Sequence, residues 1–176
     1  MSEEMLVCHC SPTLAGLKTG SLFSCPYSSQ KMIIKEIREF NQKLTQKGIR
    51  IIPVRISDKR MLVYVYRPEK LKEDFSDEKT QIILKCKGYD CTNLSQCICR
   101  LMQKLQSDPD FPHEIGLFLG YPAEDVKGFI ENKAACSKCS GCWKVYGDEQ
   151  AARILFKKYK KCTEIYCRRW KSGVAV

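Results

Sequence analysis

The spacing of apolar residues along the chain predicts three long amphipathic helices. Ile33, Ile37, Phe40 and Leu44 recur at intervals of three or four residues, which is the period of one helical face. They predict a helix over 29–47 that ends at Gly48. The same period predicts a helix whose apolar stripe runs from 94 to 105, and a C-terminal helix that follows Asp148 and reaches Trp170. A weaker pattern predicts helical structure over 69–85, and Pro122 is expected to open one more helix.

Other segments show the patterns that are typical of strands. Residues 49–56 and 61–66 are rich in β-branched and aromatic side chains, and the tetrapeptide SDKR between them predicts a hairpin. Pro53 places the first of these strands at a sheet edge or at a bulge. Three shorter strands are predicted at 5–10, 113–121 and 143–146. The segments 21–27 and 107–112 are predicted as loops.

Strands and helices intermix without strict alternation, which favours the α+β class. We expect a single domain over 1–176, in which a mixed or antiparallel sheet that includes the 49–66 hairpin packs with several helices and a long C-terminal helix. Within it, residues 134–176 form a possible subregion that contains a cysteine-rich loop, a short strand and the basic C-terminal helix.

The chain contains twelve cysteines, and their compartment decides how they are interpreted. The N-terminal segment MSEEMLVCHC carries acidic residues where a signal peptide needs basic ones, and no apolar run approaches the length of a membrane span. We therefore predict a cytoplasmic protein whose thiols are reduced. In that setting the cysteines are expected to be metal ligands, nucleophiles or core residues rather than a disulfide framework.

Charge is unevenly distributed in this chain, whose net charge is +10. The segment 153–171 holds eight basic residues and one acid, Glu164. Such a helix would suit nucleic acid or an acidic protein partner. The simpler interpretation is a solvated helix face, and the aromatic residues that alternate with the basic ones fit the core side of the same helix.

The segment ACSKCSGCW places Cys136, Cys139 and Cys142 three residues apart. Closely spaced thiolates on a tight loop suit zinc or an iron–sulfur centre. A fourth ligand is expected from Cys162 or Cys167, with Cys162 favoured because it lies on the apolar face of the C-terminal helix. A redox dithiol is disfavoured, since a thioredoxin-like CxxC precedes a helix and here a strand is predicted to follow.

A second, weaker metal cluster is conceivable at Cys8, His9, Cys10 and Cys25. A different function, thiol catalysis, is also open to Cys10. Cys10 lies directly before the predicted helix start at Ser11-Pro12, where a helix N-terminus lowers a thiol pKa. With His113 as base and Asp148 to orient the imidazole, the chain order matches papain-like thiol hydrolases and acyltransferases. In the simpler interpretation Asp148 only caps a helix and His113 only binds a loop.

Three segments of the chain are similar to the signature blocks of one protein family. They are CSPTLAGLK at 10–18, FPHEIGLFLGYPAEDVKGFIENK at 111–133 and WKVYGDEQ at 143–150. The sequence resembles the bacterial family called domain of unknown function 3793, and the resemblance spans nearly the whole chain. It implies a small, stand-alone bacterial protein without an agreed biochemical function, and it assigns no catalytic residues.

Overall fold

The computed structural model describes residues 1–107 and 110–173, and its chain divides into two compact units. Unit 1 contains Met1–Glu69 and the C-terminal part from Tyr159 onward, and unit 2 contains Lys70–Lys158. Over the described residues the chain forms eight α-helices and five strands, so the predicted α+β class is confirmed. A division into compact units does not test the predicted single domain, and the last helix contributes to both units.

Unit 1 is built on an antiparallel sheet of three strands, β1 (Gly20–Pro26), β2 (Arg50–Ile56) and β3 (Arg60–Tyr66). The strand order is β1-β3-β2, with Leu22 opposite Tyr64 in one ladder and Ile52 opposite Tyr64 in the other. The predicted hairpin is confirmed as β2 and β3. The predicted loop over 21–27 is wrong, because residues 21–26 pair with β3.

Pro53 behaves as its chemistry requires. It lies in β2, at the edge of the sheet, and the pairing with β3 is irregular between Pro53 and Arg55. Proline cannot donate a ladder hydrogen bond, so it is tolerated at an edge or bulge. Both features of the prediction are confirmed.

The first segment is a helix and not the predicted strand over 5–10. Helix α1 spans Glu3–Leu14, and the Ser2 hydroxyl accepts a hydrogen bond from the Met5 backbone N–H. Leu6, Cys10 and Leu14 are buried at four-residue intervals along one face, a period that the six-residue window 5–10 is too short to reveal. Pro12 lies in the last turn of this helix instead of opening a new one.

The second helix agrees with its prediction. Helix α2 spans Gln30–Leu44 and continues as a 3-10 turn over Thr45–Lys47, where Gly48 adopts a left-handed φ of 71°. Its buried residues join side chains of α1 and all three strands in one apolar cluster. The members of this unit 1 core cluster are Leu6, Cys10, Leu14, Phe23, Cys25, Ile33, Ile37, Leu44, Ile49, Ile51, Met61, Val63 and Val65.

Unit 2 is mainly helical. The predicted helix over 69–85 is two helices, α3 (Pro68–Phe75) and α4 (Glu78–Cys86), because the Asp77 side chain accepts a hydrogen bond from Thr80 N–H and starts a new helix. Helix α5 (Leu94–Ser107) begins after Asn93, whose side chain caps it by accepting hydrogen bonds from Ser95 N–H and Gln96 N–H. The predicted loop over 107–112 lies partly outside the described residues.

The predicted strand over 113–121 is wrong. This segment forms turns around a short helix, α6 (Ile115–Phe118), in which every residue is buried. A continuous apolar run does not distinguish a strand from a buried helix. Helix α7 (Ala123–Asn132) follows Pro122 as predicted.

The chain ends in a short hairpin and a long helix. Strands β4 (Cys139–Ser140) and β5 (Lys144–Val145) pair antiparallel, so the predicted strand over 143–146 is confirmed in its centre. Helix α8 spans Glu149–Lys171. The Asp148 side chain caps it by accepting a hydrogen bond from Ala151 N–H at 3.0 Å.

Candidate functional site

A cleft of about 470 Å³ opens in unit 2 between the α6 turn, helix α7 and the β4–β5 hairpin. This volume lies within the range of sites that bind small organic molecules. Its lining is mostly apolar and contains four aromatic rings, with a few polar groups. The lining residues are Phe111, His113, Ile115, Gly116, Leu119, Tyr121, Asp125, Val126, Phe129, Ser140, Gly141, Trp143 and Lys144.

The aromatic side chains of the cleft are packed against one another. The rings of Tyr121 and Trp143 are stacked, with their centroids 4.6 Å apart, and Phe156 meets Trp143 edge-on at 4.6 Å. The His113 ring meets Phe129 edge-on at 4.9 Å. Such pairs fix ring orientations, so the cleft presents fixed aromatic surfaces.

Asp125 holds the hairpin against α7. Its carboxylate is 3% exposed and accepts three hydrogen bonds, from Trp143 Nε1 at 2.7 Å, Tyr146 N at 2.7 Å and Gly147 N at 2.8 Å. A buried carboxylate needs such donors to offset its desolvation. Asp125 therefore fixes the Trp143 ring and the end of the hairpin at once.

Two glycines in the cleft wall allow close packing. A Cβ at Gly141 would lie 2.3 Å from Phe156 Cδ2, and one at Gly116 would lie 2.8 Å from Val126 Cγ2. Real Cβ atoms are not found this close to neighbouring atoms. The shape of the cleft thus depends on the absence of side chains at both positions.

A buried ion pair supports the turn that carries His113. Lys104 Nζ donates to Glu114 Oε1 at 2.7 Å, and the Tyr89 hydroxyl donates to the same oxygen at 3.0 Å. Burial alone would raise the pKa of Glu114, but the hydrogen bond from Lys104 and other donors outweigh it and lower that pKa. Burial and the adjacent Glu114 carboxylate raise the pKa of Tyr89. Glu114 is thus held ionised behind the cleft wall.

The polar groups that face the cleft differ in how many hydrogen-bond or ion-pair partners they have within the protein. Asp125 has its three N–H donors. Lys144, by contrast, makes no ion pair with any residue that the structure describes. Together with the exposed His113 and Ser140, it gives the apolar cleft a polar side with a positive charge.

The predicted cysteine ligands lie on the hairpin side of this cleft or in the other unit. Cys139 is half-buried in β4, whereas Cys136 and Cys142 are exposed, and Cys162 is buried and belongs to unit 1. Within residues 1–107 and 110–173, no three His, Cys, Asp or Glu side chains are grouped so that they could hold a metal ion. Metal binding by Cys136, Cys139, Cys142 and Cys162 stays a prediction.

The turn that leads into the cysteine hairpin has an unusual backbone. Lys133, Ala134 and Cys136 have positive φ values of 45°, 72° and 58°. Non-glycine residues adopt this left-handed region at a cost of about 1–2 kcal/mol each. Such strain persists where surrounding structure enforces it, frequently at functional positions.

Two premises of the predicted thiol chemistry are wrong. Cys10 lies inside α1 and is fully buried, and desolvation raises its pKa to about 12. It therefore does not gain the thiolate stabilisation of a helix start. His113 precedes a short helix and not a strand. Asp148 caps α8, as its simpler interpretation held. A catalytic role for Cys10, His113 and Asp148 stays a prediction, without these supports.

The basic side chains of the C-terminal helix are exposed, as their charge requires, and its apolar side chains include buried ones. In α8 the charged side chains of Lys157, Lys158, Lys160, Lys161, Arg168 and Arg169 are exposed, and Ala152, Tyr159 and Cys162 are buried. This separation is that of a helix with one solvated face. Binding of nucleic acid or an acidic protein by this helix stays a prediction.

The patterns in the sequence do not predict the aromatic cleft, because Ile115 and Tyr121 fall in a segment that is predicted as a strand. The clearest signal in the sequence is composition: the segments 111–129 and 140–146 together hold Phe111, His113, Tyr121, Phe129, Trp143 and Tyr146. Only the turn around α6 brings these rings together.

The fold and the cleft define a helical α+β protein with an aromatic pocket walled by a cysteine-bearing hairpin. Two of the three segments that carry the resemblance, 111–133 and 143–150, line that cleft. The chain belongs to the family described as protein of unknown function (DUF3793), whose model matches residues 6–176. No curated protein and no solved structure matches the chain. Of the helices in the described part, none is long and apolar enough to cross a membrane.

Proposed function

We propose that the chain binds a small, flat, aromatic molecule that carries one anionic group, in the cleft of unit 2. The observation that supports this proposal is the combination of stacked aromatic walls with Lys144 in a cleft of about 470 Å³. Mostly apolar pockets with a few directed polar groups are the usual form of small-molecule sites. Tyr121, Phe129 and Trp143 supply surfaces for a planar ring, and Lys144 supplies the partner for the anion.

Fixed walls favour binding because little ordering remains to be done when the ligand enters. Trp143 is held by the hydrogen bond to Asp125 and by two ring contacts, and Phe129 is in contact with His113. The site is therefore built before the ligand arrives.

The test is a titration of the full chain with 2-naphthoate, compared with the uncharged 2-naphthalenemethanol. A Trp170→Phe background leaves Trp143 as the fluorescent reporter, since the chain has two tryptophans. We expect saturable quenching by 2-naphthoate. Lys144→Met is expected to weaken it about tenfold, which corresponds to the loss of one partly screened charge contact, and to leave the uncharged analogue unaffected.

Two variants make the titration specific to the cleft. Ser140→Phe introduces a ring into the exposed side of the cleft and is expected to abolish binding, whereas Lys157→Met removes a charge from an exposed position of α8 and is expected to change nothing. Absence of saturable quenching, or equal quenching in Ser140→Phe, would contradict the proposal.

A second candidate function is metal binding at the cysteine hairpin. One observation favours it: Cys139 lies in β4, and Cys142 lies in the turn over 141–143 that joins the paired strands β4 and β5. A turn of this kind can direct two thiolates toward one zinc or iron centre. Cys136 and Cys162 are the further ligands predicted from the sequence.

Metal content of protein purified without oxygen tests this second function. We expect about one zinc per chain, or iron with a visible absorption band, and loss of the metal in Cys139→Ser. Cys99→Ser, at an exposed position of α5, is the matched control. A folded protein without metal, which takes up none when zinc is added, would overturn this candidate while leaving the cleft proposal intact.

A further inference from the structure

Unit 1 contains a pair of thiols that the cleft does not involve. Cys8 lies on α1 and Cys167 near the end of α8, and the two thiols are close enough to interact. Cys8 is exposed and Cys167 is half-buried. Two thiols from distant parts of the sequence are thus in contact at a position that small molecules can reach.

Packing in unit 1 places neighbours of both cysteines against the same apolar cluster. Met5, one turn before Cys8, and Tyr166, next to Cys167, both pack against the unit 1 core cluster. The part of α8 that belongs to unit 1 begins at Tyr159, and the Tyr159 hydroxyl donates a hydrogen bond to Leu17 O at 3.5 Å. The neighbours of both cysteines are therefore held by the core, and the thiols meet without rearrangement of either helix.

The charged groups around Cys8 belong to both helices. Glu4 on α1 and Lys171 on α8 act on its thiol in opposite directions, and burial, Cys167 and Glu4 together raise the pKa of Cys8 above its usual value. Most of the thiol is accordingly protonated at neutral pH, which protects it from indiscriminate alkylation and oxidation. Reaction then depends on a partner thiol that attacks the mixed disulfide first formed at Cys8, and Cys167 lies close enough to do so.

We propose that Cys8 and Cys167 form a reversible dithiol–disulfide site that exchanges with low-molecular-weight disulfides. The Cys8 thiolate attacks one sulfur of a small disulfide, which forms a mixed disulfide at Cys8 and releases one small thiol. The Cys167 thiolate then attacks the Cys8 sulfur and releases the second small thiol. The two protein thiols are oxidised to one disulfide, the small disulfide is reduced to two thiols, and the protons lost by the cysteines are taken up by the leaving thiolates.

A second thiol pair shows what distinguishes this site. Cys91 and Cys97 also lie close enough to interact, but Cys97 is fully buried and its thiol donates to the Asp90 carbonyl at 2.9 Å. Burial raises the pKa of Cys97 to about 11. An attacking small disulfide therefore has poorer access to this pair, which serves as an internal reference in the same chain.

The experiment treats the native full chain with oxidised glutathione, blocks remaining thiols with N-ethylmaleimide, and maps the peptides by mass spectrometry. We expect a cross-linked peptide that joins Cys8 to Cys167, reversed by a reducing agent, at a yield at least about tenfold above any Cys91–Cys97 cross-link. In Cys167→Ser, glutathione is expected to remain attached at Cys8, because the resolving thiol is gone. Cys99→Ser, which removes another exposed cysteine, should leave the cross-link unchanged.

Two results would overturn the proposal. One is glutathione that stays attached to Cys8 in the unmodified chain, with no cross-link between Cys8 and Cys167. The other is a mixture of cross-links among exposed cysteines in which the Cys8–Cys167 pair has no preference. The unmodified chain alone decides between these results and the expected one, so the test holds even where a variant fails to fold. Binding at the cleft is measured separately and does not affect this outcome.

Discussion

The two units place their reactive and aromatic side chains in opposite ways. In unit 1, Cys10 and Cys25 are completely buried in the core cluster beneath the three-stranded sheet. In unit 2, the rings of Tyr121 and Phe129 line an open cleft, and the thiol of Cys142 is exposed beside it. Cysteine and aromatic residues, which the sequence alone offers equally as candidates for chemistry, thus serve as packing in the core of unit 1 and as exposed surface at the cleft of unit 2. Burial, more than residue type or spacing, decides which of them can take part in binding.

The largest expected effect separates the cysteines of the two units by reactivity. A rise of the pKa of Cys10 from 9.0 to about 12 lowers its thiolate population by roughly a thousandfold, and full burial blocks access as well. We expect iodoacetamide to label Cys10 at least about a hundredfold more slowly than Cys142 in the native chain at pH 8. Peptide-resolved mass spectrometry measures both rates.

Unfolding the chain in urea is the control for this contrast, since both thiols should then react at similar rates. Comparable labelling of Cys10 and Cys142 in the native chain would break the distinction between the closed core of unit 1 and the open cleft of unit 2. It would also revive the predicted catalytic role of Cys10.

The second prediction concerns the residue on which the cleft wall depends. Asp125→Ala removes the acceptor of three hydrogen bonds and leaves their donors at Trp143, Tyr146 and Gly147 without that partner. We expect a loss of about 3 kcal/mol or more in the free energy of unfolding, measured by urea denaturation. Asp110→Ala, at an exposed position, should change it by less than about 0.5 kcal/mol. Equal stability of the two variants would contradict the role of Asp125.

The third prediction tests the close packing of the hairpin. Gly141→Ala would place a Cβ 2.3 Å from the Phe156 ring, so we expect destabilisation by about 1–3 kcal/mol. The double variant Gly141→Ala/Phe156→Leu should recover part of the loss, because the smaller side chain makes room. A double-variant cycle measured by thermal unfolding detects this coupling, and purely additive effects would show that the two positions do not contact each other.

The smallest expected effect comes from the left-handed turn before the hairpin. Ala134 has a φ of 72°, so Ala134→Gly should stabilise the chain by about 0.5–1 kcal/mol by relieving backbone strain. Ala135, the next residue, does not have a positive φ, and Ala135→Gly should be neutral or destabilising. Urea denaturation of both variants measures the difference, and the opposite order would show that the turn is not strained.

The elements that the sequence predicted well are those with long, regular patterns. The apolar period of α2, α5 and α8 extends over three or more turns, and the hairpin of β2 and β3 combines two β-rich runs with a polar turn. Such patterns identify an element before any tertiary contact is known. The side-chain cap at Asp148 was predicted for the same reason, since capping is local.

Two of the wrong predictions share a physical cause. The segments 5–10 and 113–121 are short and apolar, so a strand and a buried helix fit them equally well, and tertiary packing made them α1 and the α6 turn. The strand predicted over 113–121 prevented the prediction of the cleft. The residues of the cleft lie up to 33 positions apart, from Phe111 to Lys144, and no local rule predicts that they will face a common space.

The most direct test of the cleft as a binding site uses the two indole N–H groups of Trp143 and Trp170 in a ¹H–¹⁵N spectrum of the full chain titrated with 2-naphthoate. Trp143 lines the cleft and Trp170 lies on the last turn of α8, so each reports on a different surface. The account predicts a saturable shift of the Trp143 signal while the Trp170 signal stays in place. A Trp143 signal that does not move, or equal shifts of both signals, would contradict it.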